Sequence, residues 1–326
     1  MERGVSDPVL QIIGLETQFR TRRGVVKAVD GLDLELCPGE TFGLVGESGC
    51  GKSVTALSIL RLLPKPAGRI AGGRILFNGR DLAAASESEI RRIRGNRISM
   101  IFQEPMTSLN PVYTIGFQIE EVLRRHRGMD RAAARAEAAH LLGLVGMPEP
   151  AARRDDYPHQ LSGGMRQRAM IAMALACRPA IMIADEPTTA LDVTIQAQIL
   201  DLIARLKEEI GMAVLLITHD LGVVAEICRN VAVMYAGRIV ERATVDEIFS
   251  RPAHPYTVGL FNSLPRVGGR EGALTPIPGA VPSLADLPSG CAFQERCFRR
   301  HAVCGEEPPW REIAPGHHAR CWKPLG

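Results

Sequence analysis

The chain has 326 residues, of which 46% are hydrophobic and 23% are charged. This is the composition of an ordinary folded protein of about two domains, which excludes a disordered or low-complexity chain. The 39 Lys and Arg residues are nearly balanced by 36 Asp and Glu residues. That balance argues against a dedicated nucleic-acid-binding protein.

Membrane and export signals are not found in the sequence. No apolar run approaches the ~20 residues that a transmembrane helix requires. The N-terminal sequence MERGVSDPVLQ has charged residues and a proline where a signal peptide needs an apolar stretch. We therefore expect a cytosolic protein, or one that reaches a membrane only from the cytosolic side.

The first motif is a glycine-rich loop between a strand and a helix. An apolar run predicts a buried strand over Thr41–Val45, and a helix is predicted over Lys52–Leu63. The sequence GESGCGKS between them fits the P-loop pattern G-x-x-x-x-G-K-[ST] in full. Its backbone amides can face phosphate oxygens, Lys52 can reach the β- and γ-phosphates, and the Ser53 hydroxyl can bind Mg²⁺. The expected ATP contacts are Gly46, Glu47, Ser48, Gly49, Cys50, Gly51, Lys52, Ser53 and Val54.

Cys50 lies inside this loop, close to the start of the predicted helix. A helix N-terminus stabilises a thiolate, so alkylation of Cys50 could block ATP binding. An inert buried thiol is the alternative, and the sequence does not separate the two.

Further along, short apolar strands alternate with helical segments. Residues 117–145 are rich in Ala, Leu, Glu and Arg with apolar spacings of three and four, which predicts helix. Ile181–Ala184 and Val214–Ile217 are typical of buried strands. The alternation indicates an α/β fold around a parallel sheet, with a helical insertion over about 104–175.

The second motif, AIMIADEP, is an apolar strand that ends in two carboxylates. Asp185 would bind Mg²⁺ directly or through water, and Glu186 would polarise the attacking water. Taken alone, the pattern equally fits a plain exit from a strand into a loop. A P-loop in the same chain favours the catalytic interpretation.

The third motif, LSGGMRQR, opens an apolar helix with exposed amides and is a second candidate anion site. A P-loop, an LSGG signature and a strand ending in Asp-Glu, in this order, resemble the ATP-binding-cassette ATPases. The resemblance implies a P-loop NTPase fold with a parallel core sheet, an antiparallel β subdomain and the helical insertion. It also implies that two cassettes pair head to tail, so that one signature closes over the ATP of the other. The signature residues are Leu161, Ser162, Gly163, Gly164 and Met165.

The same resemblance assigns roles to other positions. Gln103 in IFQEP would link the Mg²⁺ site to a transmembrane partner, and Asp192 in ALD would cross the dimer interface. His219 after the strand AVLLIT would contact the γ-phosphate. Phe19 would stack on adenine, although a core phenylalanine fits that position nearly as well. The implied catalytic residues are Glu186, His219 and Gln103, and the implied Mg²⁺ ligands are Ser53, Gln103 and Asp185.

Two positions depart from the family pattern: Met165 stands where Gln is commoner, and Cys50 where Ser or Ala is commoner. Neither departure removes a backbone amide or a metal ligand, so an active ATPase is expected.

Longer segments resemble the ATPases of dipeptide and oligopeptide importers: GESGCGKSVTALSILRLLP, FQEPMTSLNPVYTIGFQI, YPHQLSGGMRQRAMIAMAL, and the tail sequences at 254–266 and 277–297. Relatives with this tail also serve nickel, glutathione and oligosaccharide importers. A soluble cassette acting on ribosomes or DNA is the alternative from another class, and an exporter is disfavoured by the tail.

The importer resemblance also implies a set of partners. The chain would be a peripheral subunit at the cytoplasmic face of the membrane, docked through Gln103–Ile119 on two transmembrane permease subunits. It would pair with a second ATPase, either a sister chain or itself. An extracytoplasmic peptide-binding protein would act indirectly, and no nucleic acid is involved.

A change in composition near Arg251 predicts a boundary between an ATPase cassette, residues 1–250, and a loop-rich tail, residues 251–326, which holds half of the 22 prolines. Four of the eight cysteines lie close together in this tail: Cys291, Cys297, Cys304 and Cys321. Disulfides are disfavoured in a reducing cytosol, so we expect the thiolates to bind one metal centre that stabilises the tail. No C-x₂₋₄-C pair is present, which favours a 4Fe–4S cluster over Zn²⁺, and similar tails in peptide-importer ATPases point the same way. Four unrelated buried thiols are the alternative.

Overall fold

The computed structural model describes residues 7–22, 24–104, 108–189, 192–263 and 276–325. The chain divides into two compact units. The first unit takes in the described parts of Met1–Val9, Leu36–Thr41 and Ala84–Ile217. The second takes in those of Leu10–Glu35, Phe42–Ala83 and Thr218–Gly326.

The strands, in chain order, are β1 (Leu10–Thr21), β2 (Gly24–Leu36), β3 (Thr41–Val45), β4 (Gly68–Phe77), β5 (Arg80–Asp81), β6 (Ile98–Ile101), β7 (Ile181–Asp185), β8 (Ala213–Thr218), β9 (Asn230–Tyr235), β10 (Arg238–Thr244), β11 (Trp310–Ala314) and β12 (His317–Arg320). The helices are α1 (Lys52–Ile59), α2 (Glu87–Ile93), α3 (Ile115–Arg127), α4 (Arg131–Leu144), α5 (Pro150–Arg153), α6 (Gly163–Leu175), α7 (Val193–Ile210), α8 (Leu221–Ile227), α9 (Val245–Ser250) and α10 (Pro255–Asn262).

Two groups of strands organise the second unit. An antiparallel sheet has the order β2-β1-β4-β5. In the other group, β3 runs parallel to β9, and β10, β12 and β11 follow as antiparallel neighbours. The tail strands β11 and β12 therefore continue the sheet that holds β3, with Glu241 paired to Ala319.

The tail also supplies part of the core of this unit. Tyr256 and Phe293 are buried with Val45, Val231 and Val233 in one hydrophobic cluster. The tail thus belongs to the same compact unit as the phosphate loop, and the domain boundary near Arg251 stays a prediction.

The first unit contains the parallel strands β6, β7 and β8. Its core packs apolar side chains of α3, α4, α6 and α7 against these strands. The helix predicted over 117–145 is two helices, because Gly128 ends α3 in a left-handed conformation and Asp130 caps the start of α4.

Across the ranges that the structure describes, no helix combines the length and apolar character needed to cross a membrane.

Candidate nucleotide-binding site

The phosphate loop joins buried strand β3 to α1 in the second unit. Gly46 and Gly51 have φ angles of 153° and 111°, in the region that favours glycine. A Cβ at Gly51 would collide with the carbonyl oxygen of Ala28, and one at Gly46 would collide with that of Met234. Both positions therefore require glycine for conformation and for space.

The side chains of the loop differ in exposure. Lys52 is buried, and its Nζ donates to the carbonyl oxygens of Gly46 at 2.7 Å and Glu47 at 3.0 Å. Ser48 and Gly49 are exposed, whereas Gly51 is buried and Ser53 and Val54 are half-buried at the start of α1. This arrangement leaves the tip of the loop open to a ligand.

Cys50 does not have the character of a reactive thiol. It is fully buried, and this burial raises the pKa of its thiol above the usual value. The nearby Lys52 ammonium opposes the shift without reversing it. Of the two alternatives left open by the sequence, burial and the raised pKa favour the inert buried thiol.

Two residues of the tail contact Glu47, the second residue of the phosphate loop. Arg296 binds both carboxylate oxygens, with Nη1–Oε2 and Nη2–Oε1 distances of 2.7 and 3.0 Å. The backbone N–H of Glu47 donates to the Tyr256 hydroxyl oxygen at 2.8 Å. The Glu47 carboxylate is the first cause of a raised Arg296 pKa, so the guanidinium stays charged.

The paired carboxylates lie at the end of β7 in the first unit. Asp185 is buried at the last position of the strand. Glu186 follows with a left-handed φ of 48°, and its N–H donates to the Ile217 carbonyl at 2.8 Å. Its Oε2 accepts hydrogen bonds from Gln103 Nε2 at 3.0 Å and Thr189 Oγ1 at 2.8 Å. Two predicted catalytic residues, Gln103 and Glu186, are thus in direct contact.

The signature residues form the start of α6, also in the first unit. Ser162 is an exposed N-cap whose Oγ accepts from the Met165 amide at 3.3 Å, and Leu161 is buried beneath it. Gly163, Gly164 and Met165 are half-buried. A Cβ at Gly164 would lie 3.1 Å from Ile195 Cγ2, so the glycine permits close packing on α7.

The structure also places three other predicted residues, Asp192, His219 and Phe19. Asp192 caps α7 by accepting from the Ile195 amide at 2.9 Å, while its neighbours at 190 and 191 lie outside the described residues. His219 is exposed directly after β8. Phe19 is half-buried opposite Gly68 in the β1–β4 pair, so it packs within the sheet, and its contact with adenine stays a prediction.

The four tail cysteines line one small cavity of about 20 Å³. Burial raises the pKa of Cys291 to about 11, with added repulsion from the other three thiols, and burial also raises the pKa of Cys297 and Cys321. Within the described ranges, however, no three His, Cys, Asp or Glu side chains are arranged to hold a metal ion. The four cysteine sulfurs are atoms that could bind a metal as thiolates. In the described residues, however, they are not arranged as the predicted metal-binding group.

Sequence reasoning missed Thr189, Tyr256 and Arg296 as contacts of the site. Thr189 lies three residues after Glu186 and had no separate signal. Tyr256 and Arg296 fall in the tail segments that carry the family resemblance, but no local pattern in those segments signals their contacts with Glu47.

A phosphate loop with its lysine turned inward, a strand ending in Asp-Glu and a signature helix capped by serine define a nucleotide-binding protein of the ATP-binding-cassette class. The family described as "ABC transporter" matches residues 29–189, and "Oligopeptide/dipeptide transporter, C-terminal region" matches residues 240–304. The chain belongs to the ABC transporter ATPases that carry this C-terminal region.

Relatives of known name agree over nearly the whole length. The probable peptide ABC transporter ATP-binding protein y4tR of Sinorhizobium fredii is 57% identical, covering 98% of this chain and 96% of that protein. The dipeptide transport ATP-binding protein DppD of Bacillus subtilis is 52% identical, covering 97% and 95%. Among solved structures, a dimeric post-hydrolysis state of the ATP-binding cassette MJ0796 with ADP and Pi has a TM-score of 0.66 at 27% identity, covering 72% of this chain and 98% of that one.

Proposed function

We propose that this chain is the ATP-hydrolysing subunit of a bacterial importer of dipeptides or oligopeptides. The observation that carries the proposal is a cassette followed, in one chain, by the oligopeptide/dipeptide transporter C-terminal region. Relatives named for peptide and dipeptide transport match it over nearly their full length. Importers of nickel, glutathione or oligosaccharides are the alternatives for the cargo.

In this proposal the loop amides and Lys52 bind the phosphates of ATP, and the signature of a second cassette binds the same nucleotide from the other side. The Ser53 hydroxyl, the Gln103 amide oxygen and the Asp185 carboxylate are oxygen donors of the kind that Mg²⁺ prefers. The bound ion would neutralise charge on the β- and γ-phosphates. Glu186 would orient the attacking water, and His219 would contact the γ-phosphate.

The exposed apolar side chains of α3 and the preceding loop support docking on permease subunits. Val112, Tyr113 and Phe117 are all exposed, and the Tyr113 and Phe117 rings stack with centroids 4.6 Å apart. The buried Gln118 amide fixes the loop by donating to the carbonyls of Asn110 and Tyr113 at 3.0 and 3.1 Å. An ordered apolar surface of this kind is typical of a protein interface.

We therefore place the chain at the cytoplasmic face of the membrane, bound to two transmembrane subunits. It would be paired with a second ATPase, either a sister chain or another copy of itself. A peptide-binding protein outside the membrane would deliver the cargo without touching this chain.

The transporter reconstituted with its permeases tests the function. Its ATPase rate is measured with peptides, nickel, glutathione and oligosaccharides, each presented with its binding protein. Peptides alone should stimulate the rate, and Lys52→Ala should abolish the stimulation. If a different cargo stimulates the rate, the peptide assignment is wrong and that cargo replaces it. If the intact wild-type complex does not hydrolyse ATP, the whole proposal is wrong.

We also retain the four-cysteine metal centre as a proposal for the tail. Four thiols around one cavity are a donor set that suits 4Fe–4S or, as the alternative, Zn²⁺. Protein purified without oxygen should contain about four iron and four sulfide per chain. Stoichiometric zinc without iron would select the alternative. Absence of metal, together with an unchanged melting temperature in Cys297→Ala, would reject both.

A further inference from the structure

An ion pair joins two positions that are far apart in the sequence, Glu47 of the phosphate loop and Arg296 of the tail. The guanidinium binds the carboxylate through two nearly parallel hydrogen bonds of 2.7 and 3.0 Å. Only 6% of the Arg296 side chain is exposed, against 29% for Glu47. A bidentate pair with one partner buried has a fixed geometry, unlike an exposed pair.

Further contacts, made with residues other than Glu47, hold the Arg296 side chain in place. Its Nε donates to the Pro278 carbonyl at 3.0 Å, and its Nη1 lies 3.4 Å from the Tyr235 hydroxyl. The guanidinium carbon lies 5.9 Å from the ring centre of Tyr235 and 6.0 Å from that of Phe293. The tail therefore presents a preorganised cation to the phosphate loop.

The second contact acts on the backbone of the loop. Tyr256 is fully buried, and its hydroxyl oxygen accepts the N–H of Glu47 at 2.8 Å. His254 fixes the start of the helix that carries Tyr256, since its Nδ1 accepts the Tyr256 N–H at 3.1 Å. Both the main chain and the side chain of Glu47 are thus held by residues of the tail.

A carboxylate inside a phosphate-binding loop would repel ATP if it were unpaired, because like charges at short range raise the free energy of binding. The paired guanidinium neutralises that charge and turns the carboxylate toward the tail. The Glu47 N–H shares a rigid peptide plane with the Gly46 carbonyl, so the contact with Tyr256 also fixes an oxygen that accepts from Lys52 at 2.7 Å. Residues of the tail therefore contact the segment of the loop that holds Lys52.

We propose that Arg296 and Tyr256 are positioning residues through which the C-terminal tail sets the affinity of the phosphate loop for ATP. The proposal rests on ATP binding by this loop. It gives the tail a function that neither the cassette motifs nor the comparisons assign.

The test compares variants of the full chain by ATP titration and by the KM and kcat of hydrolysis in the reconstituted transporter. Arg296→Gln leaves the Glu47 carboxylate unpaired, so it should weaken ATP binding roughly 10-fold, within the range of site-to-site couplings. It should raise KM more than it lowers kcat. Adding Glu47→Gln should restore most of the affinity, because the repelling charge is gone. The control is Arg300→Gln, which removes an exposed arginine of the same tail segment.

Rescue by the second substitution separates positioning from a merely structural role. If Arg296 only helped the tail to fold, the double variant would bind ATP as poorly as Arg296→Gln. Wild-type affinity in Arg296→Gln would also overturn the proposal, whereas failure of the wild-type chain to bind ATP would overturn the proposed function instead.

The Tyr256→Phe variant provides a second test, which does not depend on whether the Arg296→Gln variant folds. It should speed hydrogen exchange in the loop peptide around Glu47, and Arg300→Gln should not. Unchanged exchange in Tyr256→Phe would reject the contribution of the main-chain contact.

Discussion

Glu186 combines an unusual backbone conformation with a side chain that accepts two hydrogen bonds. Its φ of 48° is rare for a residue with a side chain, and such conformations cost about 1–3 kcal/mol and cluster at functional sites. Hydrogen bonds from Gln103 and Thr189 direct one carboxylate oxygen. Gln keeps the shape of Glu and one acceptor oxygen, so it removes charge and basicity with little change in geometry.

We expect Glu186→Gln to slow ATP hydrolysis at this chain's own site by 10²-fold or more, about 3 kcal/mol of barrier. ATP binding should persist, because the proposed phosphate contacts, Lys52 and the loop amides, are unchanged in this variant. The variant should therefore accumulate as an ATP-bound dimer, which size-exclusion chromatography detects. Glu226→Gln, an exposed glutamate on α8, is the control, and near-normal turnover at an isolated Glu186→Gln site would contradict the role.

A second prediction at this scale concerns Cys50. Its burial and raised pKa predict that a maleimide leaves it unmodified in the native chain at neutral pH. Labelling should require unfolding and should not depend on bound nucleotide, and peptide mass spectrometry measures both. If Cys50 is labelled stoichiometrically in the native chain and ATP suppresses the labelling, the prediction is wrong and Cys50 is a reactive thiol.

Local motifs were predictable at the residue scale, and distant contacts were not. The phosphate loop is contiguous, so its strand, glycines, lysine and serine can be recognised within one short segment of sequence. The Arg296–Glu47 pair spans 249 positions, and no spacing rule connects such residues. The sequence could not decide the character of Cys50 for a similar reason, because the helix-dipole argument is local whereas burial depends on the whole fold.

At the scale of elements, helix starts coincide with predicted functional positions. Ser162 caps α6 and Asp192 caps α7, each through its side-chain oxygen. A capping residue keeps a helix N-terminus fixed in space. The role predicted from the family resemblance and the observed capping role therefore fall on the same side chains, and substitutions must separate them.

Asp192→Ala should lower the free energy of unfolding by about 1 kcal/mol, because the Ile195 amide loses its acceptor. Asp192→Asn keeps a capping oxygen and should stay within a few tenths of wild type. Chemical denaturation measures both. If Asp192 also crosses the dimer interface, ATP-dependent dimerisation should weaken in both variants. If the Ala and Asn variants are equally stable, the capping role is wrong.

At the scale of the whole molecule, the α/β class followed from the alternation of apolar strands and helices. The strand β3 was predicted with its observed bounds, and β7 and β8 to within one residue at each end. The place of the tail could not be predicted, because its strands pair with β10 through a register that no local pattern encodes. The tail has few apolar residues for a core of its own. It is instead stabilised by packing Tyr256 and Phe293 into the hydrophobic cluster of the second unit.

A buried polar network fastens the start and end of the tail to β10. Glu241 is fully buried, and its carboxylate accepts the backbone amides of Ala253 and His254 at 2.7 and 2.8 Å. The same carboxylate lies 2.8 Å from His317 Nε2 on β12. Desolvation lowers the pKa of the buried His254 to about 4, so this imidazole is neutral in the native state.

The attachment of the tail should therefore weaken in mild acid. Below about pH 6.5 the unfolded chain protonates His254 while the native chain does not, so stability falls as pH falls toward 4. From pH 7 to 5 the expected loss is about 2 kcal/mol. Both tryptophans of the chain lie in the tail, so their fluorescence in urea follows this unfolding. His254→Asn keeps a capping acceptor without the titration, and its profile should be flatter; equal slopes for variant and wild type would contradict the assignment.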